Sequence, residues 1–291
     1  MAIPLEGKLS LRWVLQGAGI ALIPLFTYLL QSSYPVLAEW LSNSFYVLLV
    51  AFVAMNYAVL FVVLRHRRLH QQIGMQAFFI GLVFGVGLMF SACAFPQCAF
   101  GWYLCVLSFF HFSEYFSTSI YNYESLTVDS FLLNHSLAYG LAAISSWCEF
   151  FVEAYFFPAI KQFWVLSIIG LLLCVGGEVM RKVSMLTAGR SFNHYIQTTK
   201  AEDHKLVTHG VYAWSRHPSY VGWFYWSLGT QVILLNPLCF IAYTVTSWRF
   251  FNERIEDEEI TLLNFFGEDY LEYQRKVGTK LPFIRGYKLE L

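Results

Sequence analysis

Hydrophobic residues in this chain come in long unbroken runs separated by short polar breaks. Six of these runs, Trp13–Leu30, Phe45–Leu64, Gln76–Cys93, Phe100–Ser117, Phe131–Trp147 and Phe163–Met180, are long enough as helices to cross a bilayer. Two shorter ones, Tyr220–Leu235 and Leu238–Phe251, flank Asn236-Pro237. The residue before a proline avoids the helical region, and Pro237 suits a first helical position, so the pair predicts a helical hairpin. The pattern predicts an all-α polytopic membrane protein of about eight transmembrane helices. The loops on one side fall near Gln31–Ser44, Ala94–Ala99 and Glu149–Gln162. The first run is too long and too late for a cleaved signal peptide and reads as a retained helix.

Beyond Phe251 the chain turns polar, yet Ile255, Leu262, Leu263 and Phe266 keep a helical rhythm. The last membrane helix is therefore expected to continue into the cytosol, end at Gly267, and be followed by a short helix over Asp269–Lys276. Gly278 and Pro282 bring the tail to irregular structure. The expected division is residues 1–187 as membrane helices 1–6 and residues 188–291 as a C-terminal region carrying the last two helices and the cytosolic tail.

Composition agrees with the pattern. Of the 291 residues 57% are hydrophobic and only 13% charged, about half the charged share of a soluble domain. Net charge is zero, which offers no argument for nucleic acid. The placement of charge is more informative. Alternating sides puts every Lys and Arg except Lys161 on one side, together with the loop Arg65-His66-Arg67-Arg68, and the positive-inside rule makes that side cytosolic. The 6 cysteines lie in or beside apolar runs, with no metal spacing, and read as small buried side chains; Cys93 and Cys98 flank a turn and could pair in an oxidising lumen. Gly81 and Gly85 form a GxxxG that signals close helix packing.

The polar passage His204–Tyr220 is wedged between apolar runs on the cytosolic side. Thr208-His209-Gly210 reads as a turn, and Pro218 as the first residue of a helix reaching Leu235. Free N–H groups from Ser219 onward would favour a carboxylate or phosphate; a capped helix entering a membrane gives the same pattern. Arg254 and Glu258, four apart, share a helix face. They form either a weak ion pair, which spacing alone favours, or a site with an Arg fork for a carboxylate and a Glu for a cationic amine. His111 and Glu114 are too few ligands for a metal and predict interhelical hydrogen bonds, as do Asn56, His135 and Glu178.

The run Ala188-Gly189, Asn193-His194, His204-Lys205-Leu206-Val207-Thr208-His209-Gly210-Val211-Tyr212 and Arg216-His217-Pro218-Ser219-Tyr220-Val221-Gly222 resembles the protein-S-isoprenylcysteine O-methyltransferase family. The likeness continues through Gly229-Thr230-Gln231, Asn236-Pro237, Glu258-Glu259, Phe265-Phe266-Gly267, Tyr270 and Tyr273 to Leu281-Pro282-Phe283. It is dense over the C-terminal third and rests on hydropathy before it; Arg190-Ser191 is its loosest match. Arg-His-Pro-x-Tyr-x-Gly alone is shared with phospholipid N-methyltransferases and some sterol reductases, which stand as rivals beside a non-catalytic lipid-binding membrane protein.

The resemblance implies a multi-pass endoplasmic-reticulum enzyme, its active site facing the cytosol, that uses S-adenosylmethionine. It would methylate the carboxylate of the prenylated C-terminal cysteine of processed CaaX proteins, Ras-like and related, without metal or nucleic acid. Carried over by position, Gln197, His204, Lys205, Leu206, Val207, Tyr212, His217, Pro218, Ser219, Tyr220 and Glu258 would bind the cofactor, and Arg254 the substrate carboxylate. Such a carboxylate is ionised at neutral pH and needs no general base, so the lack of a Ser-His-Asp or paired-carboxylate constellation is expected.

Overall fold

The computed structural model describes residues 3–133, 137–200 and 204–287, and all its regular structure is helical. It divides into two compact units, Met1–Ile120 with Thr127–Leu133, and Tyr121–Leu126 with Asn134–Leu291. His135 lies outside the described residues.

In the first unit, α1 (Leu5–Ala18) passes through a 3₁₀ turn into α2 (Leu22–Leu30), followed by α3 (Pro35–Asn43), α4 (Phe45–Leu64), α5 (Arg68–Ser91) and α6 (Gln97–Tyr121). Segment α3 occupies what the sequence predicts as a loop, because Pro35 starts a helix without needing its missing N–H. Small residues let α1 and α5 touch backbone to backbone. A methyl group at Gly81 would collide with the Val14 carbonyl, and one at Gly85 would come within 2.6 Å of the Ile20 side chain. Helix α4 buries only Asn56 and Leu60, while Tyr46, Val47, Phe61 and Val63 stand exposed as a lipid-facing surface would. Asn56 bonds the Phe52 carbonyl of its own helix at 2.7 Å, not a neighbouring helix. His111 bonds the Phe131 carbonyl at 2.8 Å. Cys93 and Cys98 are free thiols.

The second unit contains α7 (Leu137–Phe156), α8 (Trp164–Ala188), α9 (Pro218–Leu234), α10 (Pro237–Phe266) and α11 (Glu268–Lys276). Helix α7 starts later than the apolar run suggests and continues through the predicted loop at Glu149. Phe131 belongs instead to a 3₁₀ turn, Val128–Phe131, capped reciprocally by Thr127 and Ser130 and closed by Leu132 at φ 55°. Helix α9 buries 13 of its 17 residues and is a core helix. It lies against α8 through glycines spaced by seven, Gly170 and Gly177 meeting Gly229 and Gly222, of which the motif contains the last two.

The predicted hairpin at Asn236-Pro237 is present, and a polar knot ties its tip. Lys161, fully buried, donates to the carbonyls of Leu234 and Leu235 and to Asn236 Oδ1, each at 2.8 Å, and pairs with Glu153 at 2.7 Å. The Glu149 carboxylate accepts the N–H groups of Leu238 and Cys239 at 2.7 Å, which satisfies the free start of α10. Glu149 as a cap of α10 and Glu153 as the partner of Lys161 both serve the hairpin tip from within α7.

Four helical stretches among the described residues are long and apolar enough to cross a membrane: Leu5–Leu30, Phe45–Leu64, Arg68–Ser91 and Trp164–Ser191. The expected eight are not all reached by that measure. Helix α6 carries buried polar residues such as Ser108, His111 and Glu114, α9 is only 17 residues long, and α10 is polar over its second half.

Candidate active site

The site belongs to the second unit and starts where α9 starts. His217, extended at φ −126°, precedes Pro218 at the first helical position. The N–H groups of Tyr220 and Val221 already bond the His217 carbonyl at 3.0 and 3.1 Å. The expected row of free donors from Ser219 onward therefore reduces to the N–H of Ser219. The i→i+3 bond of Tyr220 tightens the first turn of α9 beside the ordinary i→i+4 bond of Val221.

Two aromatic planes follow. The His217 ring lies parallel to the Tyr220 ring at 5.5 Å, and Tyr220 packs on Phe251 of α10 at 5.3 Å. The Tyr220 hydroxyl accepts from Arg254 Nε at 2.8 Å and donates to Glu258 Oε2 at 2.5 Å. Arg254 also donates to the His194 carbonyl at 2.6 Å, and its guanidinium carbon stands 5.5 Å from the Tyr220 ring centre. The two residues that spacing would pair as a surface salt bridge are thus joined through a half-buried phenol.

Behind this group lies Glu259, fully buried. Its Oε1 accepts from Arg216 Nε at 2.8 Å and from His217 Nε2 at 3.0 Å, and its Oε2 from Gln274 Nε2 at 2.9 Å and the Tyr287 N–H at 2.8 Å. Burial alone would push this carboxyl up. The hydrogen bond and charge of His217, with Arg216, outweigh that and hold it below the ordinary carboxylate range. Arg216 further donates to the Gln274, Val277 and Arg285 carbonyls, which anchors the C-terminal tail under the site.

One cavity, open to solvent on one side, is lined by Gln197, His204, Lys205, Leu206, Val207, Tyr212, His217, Pro218, Ser219, Tyr220, Glu258 and Arg254. The structure brings all twelve expected residues to the same space, together with Phe192, Thr261, Phe265, Phe266, Tyr270 and Tyr273, among others. The His204 ring stands edge-on to Phe265 and Phe266 at 5.7 and 5.5 Å. Lys205 donates its backbone N–H to Ser191 Oγ at 3.2 Å. Burial pushes the Tyr212 phenol up, so it stays a neutral donor.

Sequence reasoning missed Arg181 of α8. It is buried, donates to Ser219 Oγ at 2.7 Å and lies 4.9 Å from the Trp223 ring centre. An arginine at the end of an apolar run is itself a functional signal. Arg216 and Glu259 were present only as letters of the motif; their role depends on a tail that begins some 60 residues beyond Arg216 and 15 beyond Glu259.

Fold and site together define a multi-pass, all-helical membrane protein whose polar, aromatic-lined cavity sits where a buried helix begins. The family model described as isoprenylcysteine carboxyl methyltransferase matches residues 168–264. A protein-S-isoprenylcysteine O-methyltransferase of Xenopus laevis is 51% identical over 98% of this chain and 97% of the relative, and that of Homo sapiens 49% over 98% and 96%. A solved structure of a eukaryotic intramembrane Ras methyltransferase, isoprenylcysteine carboxyl methyltransferase, superposes with a TM-score of 0.88 at 47% identity, covering 98% of this chain and 99% of that one. The chain belongs to the isoprenylcysteine carboxyl methyltransferase family.

Proposed function

We propose that this protein transfers a methyl group from S-adenosylmethionine to the carboxylate of a prenylated C-terminal cysteine, giving the methyl ester. Its substrates are processed CaaX proteins, Ras-like and related, and the catalytic region comprises residues 188–291. The observation that carries this reading is the Arg254–Tyr220–Glu258 arrangement on the wall of the cavity that gathers the expected cofactor residues.

The residues present suit the cofactor. Glu258 offers a carboxylate to its ammonium, the Ser219 N–H a donor to its carboxylate, and His204 with Phe265 and Phe266 aromatic walls to its adenine. When bound, it supplies a methyl group on a cationic sulfur to an anionic oxygen.

Arg254 receives the substrate carboxylate. Its Nε and one terminal nitrogen are occupied by Tyr220 and the His194 carbonyl, so the guanidinium is fixed in orientation before substrate arrives. The remaining terminal N–H groups are left to hold the carboxylate without engaging every oxygen lone pair, so that one stays for attack. No proton is moved, because a C-terminal carboxyl has a pKa near 3.5 and is ionised in the cytosol. Tyr220 keeps cation and carboxylate on opposite sides of one hydroxyl, so Glu258 stays available to the donor and does not neutralise Arg254.

The prenyl chain remains in or beside hydrocarbon, where each CH₂ is worth about 0.8 kcal/mol. The charge bias of the loops supports a cavity facing the cytosol, and the family supports residence in the endoplasmic-reticulum membrane. The test is methyl transfer by the purified protein from S-adenosylmethionine to N-acetyl-farnesylcysteine, with phosphatidylethanolamine as the competing acceptor. Base-labile methyl ester on the prenylcysteine is expected; transfer only to the phospholipid amine, or no transfer to either, overturns the reading.

A further inference from the structure

Beyond the 3₁₀ turn Gly189–Ser191 the described chain up to Lys200 forms neither helix nor strand, so the carbonyls of this strap take partners from elsewhere. The Arg190 and Phe192 carbonyls accept from Asn122 Nδ2 at 3.3 and 2.8 Å, and the same nitrogen stands 3.3 Å from Asn193 Oδ1. Two carbonyl partners fix which way the carboxamide is turned, because a carbonyl only accepts. One residue further on, the His194 carbonyl accepts from Arg254 at 2.6 Å. Asn122 thus grips the strap immediately ahead of the carbonyl that holds the guanidinium.

Asn122 is itself firmly seated. It follows the last residue of α6, belongs to the second unit and is 8% exposed. Its own carbonyl accepts from the N–H and the hydroxyl of Ser125 at 3.2 and 3.0 Å. The neighbouring Glu124–Arg190 pair, 3.8 Å apart and largely exposed, adds little to the grip. The strap is the softer partner, since Arg190 is exposed and Phe192 only half-buried. Removing the carboxamide therefore lets water take the two carbonyls and loosens the strap without opening a core. Arg254 is sensitive to such loosening. Its open N–H groups keep their direction only while Tyr220 and the His194 carbonyl hold the rest of the planar fork.

We infer that Asn122 is a positioning residue for methyl transfer: through the strap and the His194 carbonyl it sets the direction in which Arg254 meets the acceptor carboxylate. It lies outside residues 188–291 and is not among the residues that line the cavity. The inference rests on the assignment of Arg254 to the substrate carboxylate above.

The test is a double-mutant cycle on the full-length protein, with kcat for N-acetyl-farnesylcysteine read by transfer of labelled methyl. Asn122→Ala should lower kcat roughly 3- to 10-fold, while S-adenosylhomocysteine binds within about threefold of its affinity for the unaltered protein. In an Arg254→Ala background the same substitution should cost less than about twofold, because the group it positions is gone. A purely structural loss would carry over undiminished. Asn122→Asp has the same shape but no donor; it should repeat the loss, and it takes the place of Asn122→Ala in the cycle should that variant not bind S-adenosylhomocysteine. Asn122→Ser, which keeps one donor, should recover part of the turnover. A kcat loss below about twofold, equal factors in both backgrounds, or a loss confined to donor affinity overturns the inference. Full turnover in Arg254→Ala alone would instead refute the reading on which it rests.

Discussion

Arg254 and Glu258, one turn apart on α10, hold the same atom: the Tyr220 hydroxyl accepts from the first at 2.8 Å and donates to the second at 2.5 Å. A neutral phenol inserted between cation and carboxylate lets both keep charge directed at a ligand.

Arg254→Ala should lower kcat by about a hundredfold or more, because the carboxylate then has no charged partner in a largely buried site, while S-adenosylhomocysteine binding changes by less than about threefold. Arg254→Lys should not rescue turnover, since a lysine cannot bond Tyr220, the His194 carbonyl and the substrate in one plane. Steady-state kinetics beside a binding titration decides it. Undiminished turnover in Arg254→Ala would remove the residue from the mechanism.

Tyr220→Phe keeps the stack on His217 and deletes the bridge. Arg254 and Glu258 can then close on each other. Turnover should drop roughly tenfold, by misplacement of the guanidinium, and more than donor affinity does. Equal losses in both would mean that Tyr220 acts only on the cofactor.

Glu259→Gln leaves Arg216 buried without a counter-charge, a loss of about 3–5 kcal/mol at neutral pH. The pH dependence follows from the direction of the shift. The folded carboxyl titrates below its ordinary 4.5, so it contributes stability above that value and loses the contribution as pH falls through the depressed one. Thermal melts at stepped pH should show the gap between unaltered protein and variant full near neutrality and shrinking below about pH 4.5. A gap that widens on acidification would contradict the assignment.

Gly267→Ala tests α11 separately. The residue sits at φ 55°, ψ −125°, a region closed to side chains, although an added methyl would meet nothing within 4 Å. Any destabilisation is therefore backbone strain, about 1–3 kcal/mol, and donor affinity should fall with it as Tyr270 and Tyr273 move. A variant with native melting temperature would show that the turn is not under this constraint.

Much of the fold was legible in the apolar runs, and for a simple reason: a long run without charge has few alternatives to a helix. Pro218, Asn236-Pro237 and Gly267 then set ends to within a residue or so, because proline and glycine act through backbone geometry that needs no partner. The failures were of another kind. Segments Pro35–Asn43 and the second half of α7 looked like loops because Glu39, Glu149 and Glu153 broke the apolar pattern. Glu149 and Glu153 are polar because they serve the hairpin tip, a contact about 90 residues away for Glu149 that no local pattern can report.

The cavity's residue list was reachable because motif letters keep their spacing. How those residues pair was not. Spacing presented Arg254 and Glu258 as partners of each other, whereas the third member, Tyr220, arrives from another helix. Arg181 could have been found by asking why a charge ends an apolar run.

The knot at the hairpin tip has a mechanical consequence. Lys161 and Glu149 grip the end of α9 and the start of α10, while Tyr220 works near the opposite end of α9, about 21 Å away, and Arg254 partway along α10, about 25 Å from its start. With one end clamped, a tilt of about 3° sweeps Arg254 by about 1.3 Å, a displacement of the size that costs methyl-transfer geometry dearly. The alignment of the reacting groups is thus inherited from a lever whose fulcrum never touches substrate or donor.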